Sequence, residues 1–180
     1  MIYHTIADIL AAGEQAQTRF IAAVSNVTEA QANFRPDENQ WTIAEIVEHV
    51  SVVNDGFLRI THKLLKEAES AAKQPKADLN LGHTILDENG DQPPPFQAPD
   101  RVRPQGGVDI EDSLAKMRAA LAGFAEIQSR LEAVDLSEPM FPHPAIGPIN
   151  AYQWMVLLSE HEDRHRNQIE RLKAAAGFPT

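Results

Sequence analysis

Two histidines four residues apart, His161 and His165 in the run His161-Glu162-Asp163-Arg164-His165, have the residue type and spacing for metal chemistry. Around them, Trp154, Leu158, His161, His165, Gln168 and Leu172 recur at alternating steps of four and three. That rhythm is one stripe of an amphipathic helix, so both imidazoles lie on the line that the apolar residues mark as core-facing. Residues four apart on a helix have Cβ atoms about 5–6 Å apart, and two such rings can reach one ion at roughly 2.0–2.1 Å each. The bland reading is a pair of partly buried histidines bonded to carbonyls or carboxylates, and that placement is costly without partners.

A third ligand would turn the pair into a site, and His49 is placed to supply it. It follows Ile46 by three residues and precedes Val53 by four, so it shares their stripe. Taken alone it reads as a core histidine. Taken with His161 and His165, it completes three neutral imidazoles from two helices, with positions left open for water or substrate. Three protein ligands with an open position is a catalytic arrangement rather than a structural one. Imidazole ligands suit zinc, nickel, copper or iron.

Composition narrows the remaining possibilities. The chain has 180 residues, 43% hydrophobic and 23% charged, enough for one domain (1–180) with a sizeable core. Its formal net charge of -10 repels phosphate backbones, so nucleic-acid binding is not expected. There is no cysteine, which removes thiolate ligands, disulfides and a protein thiol nucleophile. Any metal must be held by His, Asp or Glu. No apolar run approaches membrane-spanning length, and no basic-then-apolar leader opens the sequence, so a cytoplasmic protein without a membrane partner is expected.

Proline placement supplies the elements. Four periodic segments are free of the twelve prolines, which cost about 3 kcal/mol inside a helix. They predict helices over about 5–24, 42–73, 109–134 and 150–176. Thr5 with Asp8, Thr42 with Glu45, and Asn150 with Gln153 are start signals, and Thr28 to Asn33 has room for one short turn. Gly177 reads as the cap of the last helix, and Lys173 suits its dipole. Pro75 to Val108, with six prolines and four glycines, reads as a long loop with a short strand or turn around Leu79 to Leu86. Such a loop either covers a site or is a surface excursion. Pro139 to Pro148 reads as a rigid connector carrying His143 between prolines, and His62 and His83 read as surface residues. The expected fold is all-α, a four-helix bundle with a long proline-rich loop between the second and third helices.

Two other site types fit less well. His161-Glu162-x-x-His165 matches the metalloprotease pattern, but the extended version needs Gly and His where the chain has Gln168 and Arg171. A di-iron bundle needs two Glu-x-x-His pairs, and Ile46 denies His49 its glutamate. Glu162, about 100° around the helix from His161, reads as a surface carboxylate or one that orients an imidazole N–H.

The stretch Trp41-Thr42-Ile43-Ala44-Glu45-Ile46-Val47-Glu48-His49-Val50 resembles the second-helix signature of the DinB/YfiT-like bundle proteins. His143-Pro144, Gly147 and the run from His161 to Ile169 resemble their last-helix signature. The resemblance implies a four-helix bundle, metal ligands at His49, His161 and His165, zinc or nickel as the divalent ion with iron or manganese as alternatives, and a homodimer. Some relatives use a low-molecular-weight thiol in S-transfer or isomerisation. On such a site a thiol held as thiolate could attack an electrophile, or an activated water could attack a carbonyl. The expectation is a metal-dependent transferase or hydrolase acting on a small-molecule substrate. The alternative is a non-catalytic bundle that binds a ligand or partner and uses metal for stability. Glu45, Glu48, His143 and Glu162 are the candidates for acid–base work.

Overall fold

A computed structural model describes residues 1–84 and 97–180. In chain order it contains α1 (Ile6–Val24), a short α2 (Glu29–Ala32), α3 (Ile43–Ala71), a 3-10 turn (Asp100–Val102), α4 (Ile110–Glu132), strands β1 (Met140–His143) and β2 (Gly147–Asn150), and α5 (Ala151–Lys173). Helices α1, α3, α4 and α5 make the four-helix bundle; α1 packs on α5 and α4, and α3 packs on α4 and α5.

Side-chain caps set where the two histidine-bearing helices start. At α3 the Thr42 hydroxyl accepts from Glu45 N–H at 3.2 Å, and Glu45 accepts from Thr42 N–H at 2.8 Å. At α5 the Asn150 amide oxygen accepts from Gln153 N–H at 3.1 Å, and Gln153 accepts from Asn150 N–H at 3.0 Å. These reciprocal bonds satisfy amides that the helix cannot satisfy itself. The same device opens α1 at Thr5 and Asp8, and α2 at Thr28 and Gln31.

The apolar interior falls into two clusters stacked along the bundle. One gathers Ile9, Phe57, Leu64, Phe124, Leu131 and Met155; the other gathers Phe20, Ile46, Val50, Met117, Ile169 and Leu172. Polar residues on α1, α3 and α5 occur where each helix passes from one cluster to the other: Gln17, then His49, Ser51 and Asn54, then Glu162 and His165, all buried. The seam of α5 is therefore apolar at both ends and polar in the middle.

Two expectations change, and a third is met in part. Pro139 to Pro148 contains an antiparallel hairpin rather than a plain connector, with Phe141 opposite Ile149 and Pro142 opposite Pro148. Each strand of a two-stranded ribbon has a free edge, where a proline's missing N–H is tolerated. Its turn ends at Gly147, whose φ of +80° suits only glycine well. Helix α5 ends at Lys173, and Gly177, at φ +82°, closes a turn beyond it rather than capping the helix itself. Within the long loop, Leu81 forms an antiparallel bridge with Tyr3, while residues 85 and 86 of the expected strand lie outside the described residues.

The caps yield a stability prediction. Thr42→Ala and Asn150→Ala should each cost about 1 kcal/mol, read as a lowered urea midpoint. Met140→Ala, at a side chain 55% exposed, should leave the midpoint nearly unchanged.

Candidate metal centre

Helix α3 carries His49 inward and α5 carries His161 and His165 one turn apart, and the three rings meet. One ligand nitrogen from each lies within 4.8 Å of the others. The Nε2 atoms of His49 and His161 are 3.3 Å apart. Two nitrogens bound about 2.0–2.1 Å from a tetrahedral ion stand about 3.3–3.4 Å apart, so this pair already has a metal-ligand separation. Ring centroids are 5.2 Å apart for His49 and His161, 4.9 Å for His49 and His165, and 4.4 Å for His161 and His165.

Two rings have their tautomers set from outside the cluster. His49 Nδ1 lies 2.6 Å from the carbonyl oxygen of Val102. A carbonyl only accepts, so Nδ1 carries the proton and Nε2 presents a lone pair. His165 Nδ1 lies 2.9 Å from Gln168 Oε1, one turn on, with the same result. His161 Nδ1 is buried and has no hydrogen-bond partner among the described residues. Burial lowers the pKa of all three below the ordinary histidine value: His49 moderately, His161 well below it, and His165 down to about 3. Desolvation is the main cause, and neighbouring rings add repulsion at His161 and His165. Three neutral imidazoles with lone pairs at short range fit the donor set of a divalent ion.

The cluster forms the floor of a cleft of about 1100 Å³. The cleft is also lined by Trp41, Phe57, Phe141 and Trp154, by residues 97–99 and 101–103, and by the hairpin turn. Trp41 packs on His49 with centroids 4.8 Å apart, Phe57 meets His161 edge-on at 5.8 Å, and Trp154 contacts both Phe57 and His143.

The acid–base candidates occupy different places. His143 lines the cleft, and burial lowers its pKa. Glu45 caps α3 and pairs with Arg35 at 2.6 Å, away from the cleft. Glu48 is buried and binds backbone: Gln105 N–H and Gly106 N–H donate to its two oxygens at 2.9 and 3.0 Å. Glu162 is completely buried, against the expectation of a surface carboxylate or an imidazole partner. It faces away from the cleft, and Asn54 Nδ2 donates to its Oε1 at 2.6 Å. Its other oxygen is unpaired among the described residues, and burial raises its pKa to about 8. His62 and His83 are both exposed as expected, and His83 Nδ1 also lies 2.9 Å from a carboxylate oxygen of the buried Glu160.

Sequence reasoning missed Asn54, Val102 and the cleft walls. Asn54 carried a signal, as a polar residue four after Val50 and three before Phe57 on the apolar stripe of α3. Val102 carried none, because a backbone carbonyl has no side-chain signature.

These shifts predict opposite pH responses in the EDTA-treated protein. The three histidines have folded pKa values below their unfolded ones, so their contribution to stability is present above about 6.5 and is lost as pH falls. Glu162 has a raised folded pKa, so its contribution is present below about 4.5 and is lost as pH rises through about 8. Glu162→Gln should therefore match wild type near pH 5 and become the more stable protein towards pH 8, measured by urea unfolding across pH.

Comparison with known proteins gives the same architecture. A DinB superfamily model matches residues 12–169. The uncharacterized protein YuaE of Bacillus subtilis is 24% identical over 154 residues, covering 83% of this chain and 88% of its own. Among solved structures, the four-helix bundle protein TT2238 superposes with a TM-score of 0.60 at 20% identity, covering 94% of this chain and 98% of its own. YfiT from Bacillus subtilis, described as a probable metal-dependent hydrolase with an unusual four-helix bundle topology, superposes with a TM-score of 0.58 at 16% identity, covering 96% and 88%. The family match spans most of the sequence, including α3 and all three histidines of the cluster: the chain belongs to the DinB superfamily.

Proposed function

We propose that the protein is a divalent-metal-dependent enzyme acting on a small molecule, with His49, His161 and His165 as the metal ligands. The observation that supports it is the meeting of three neutral imidazoles at the floor of a cleft of about 1100 Å³. A structural site would be closed on all sides, whereas this one adjoins space for a ligand. The description of YfiT as a probable metal-dependent hydrolase agrees with the reading. Zinc or nickel suits the all-imidazole donor set best, and iron or manganese is the alternative.

A bound ion would supply a Lewis acid with open coordination positions. The chain supplies the rest. Val102 and Gln168 hold two rings with Nε2 toward the site, and the aromatic walls limit water around it. Ala145 N–H donates to His143 Nδ1 at 3.2 Å, which leaves the neutral ring's proton on Nε2. His143 is thus the acid–base candidate on the cleft wall. Glu162 instead keeps the polar layer together through Asn54, and Glu48 keeps the 105–106 backbone in place. A hydrolytic reaction and a transfer using a low-molecular-weight thiol are both compatible with this set; the chain has no cysteine, so any thiol must come from a second small molecule.

Metal titration tests the assignment. The wild type should take up one zinc or nickel ion per chain. His49→Ala, His161→Ala and His165→Ala should each lose more than the roughly 10–100-fold in affinity that removal of a supporting partner costs. Circular dichroism should show helicity retained; loss of helicity on metal removal would support a structural ion instead. His161→Leu should abolish uptake yet make the metal-free protein more stable, by about 1–3 kcal/mol, since a buried unpartnered ring nitrogen is removed. Hydrolysis of an activated aryl ester, set against consumption of a small thiol by an electrophile, separates the two reaction types.

A further inference from the structure

Among the described residues, the charged side chains that line the cleft are all of one sign. In a chain with 16 basic and 26 acidic residues, the cleft is lined among the described residues by Arg59, Lys63, Arg101, Arg103 and Arg164, and by no aspartate or glutamate. These cations come from three separate parts of the chain. Arg59 and Lys63 lie one turn apart on α3, Arg101 and Arg103 flank Val102 in the segment that orients His49, and Arg164 lies between two of the clustered histidines. Helix α3 thus lines the cleft with His49, Val52, Gly56, Phe57 and Ile60 as well as with the two cations.

Most of the ion pairs on these groups are weak and exchangeable. Arg59 pairs with Asp55 at 3.1 Å and Arg103 with Asp100 at 3.4 Å, with more than half of three of those four side chains exposed. Such pairs are worth about 0–1 kcal/mol, so an incoming anion can replace them. Lys63 sits over the face of Phe141, with its ammonium 4.7 Å from the ring centroid. It joins the cationic rim to the aromatic wall of Phe57, Phe141 and Trp154. Cations above an apolar, aromatic base suit a ligand with an apolar body and an oxyanion group.

We infer that the cleft takes an organic anion, a small molecule whose carboxylate or phosphate meets the arginines and Lys63 while its apolar part lies on the aromatic wall. What is done to that molecule rests on the function proposed above; its capture by the cationic wall does not. Field focusing in a concave, low-dielectric cleft concentrates anions against the overall charge of -10.

Both tryptophans of the chain, Trp41 and Trp154, line the cleft, so intrinsic fluorescence reports its occupancy. The probes are 4-phenylbutyrate, phenyl phosphate, the neutral 4-phenylbutyramide and the cationic 4-phenylbutylamine. Each is titrated into zinc-loaded and EDTA-treated protein. One or both anions should quench saturably and bind about tenfold or more tighter than the amide in both preparations, with the amine weakest. Which anion binds tighter distinguishes a carboxylate from a phosphate ligand. The exposed-site triple variant Arg59→Gln, Lys63→Gln, Arg101→Gln should lose that preference, and Arg59→Lys with Arg101→Lys should keep most of it. Equal affinity for acid and amide, an unchanged preference in the triple variant, or no saturable quenching by any probe would overturn the inference. A preference that vanishes with EDTA would assign anion selectivity to the metal and overturn it too. Anion binding in a protein that takes up no metal would sink the metal reading alone.

Discussion

Desolvation of three imidazoles is the condition on which the rest of this structure depends. A charged histidine in the bundle interior would need hydration that the site does not supply, so His49, His161 and His165 stay neutral. Neutral rings have lone pairs to offer, and their close approach carries no charge repulsion. The apolar clusters above and below create that condition, because they close off both ends of the polar layer. Core packing and site chemistry are in this sense one arrangement.

The polar layer extends beyond the histidines. Gln17 Nε2 donates to the Met117 carbonyl at 3.0 Å, and Asn54 holds Glu162, so α1, α3, α4 and α5 each contribute to it. Each of these groups needs a partner at one height only. A slip of one helix by a turn would set several polar groups against apolar neighbours, which penalises alternative registers of an otherwise greasy bundle. Arg19 adds to this from the rim, with two bonds to Asp163 on α5 at 3.1 and 2.6 Å.

Much of this was legible in the sequence, for identifiable reasons. Helix starts at Thr42 and Asn150 were readable because a capping box is local chemistry, complete within four residues. His49, His161 and His165 could be grouped because each shares a stripe with residues that must be buried. The hairpin at Phe141 to Ile149 was not readable: its strands are four residues long and carry prolines, so neither alternation nor β-propensity marks them. Glu162 was misplaced because a carboxylate normally implies solvent, and Asn54, which donates to it in the interior, lies 108 residues away. The cationic lining was invisible for a similar reason. Arg101 and Arg103 lie in the proline-rich loop, and nothing local says that they line the same cleft as Arg59 and Lys63.

The contact between Val102 and His49 has a consequence for the segment that contains it. The 3-10 turn at 100–102 is tied to α3 by the His49 ring, and the chain just after it by Glu48, whose carboxylate grips the amides of Gln105 and of Gly106, the first of two left-handed glycines. Adjacent residues on one helix therefore clamp a single stretch of chain. An ion held at His49 Nε2 would strengthen the Nδ1–H as a donor, and so would tighten the grip on that stretch. Linkage makes the effect reciprocal: whatever settles the stretch against α3 must raise the affinity for the ion by the same factor.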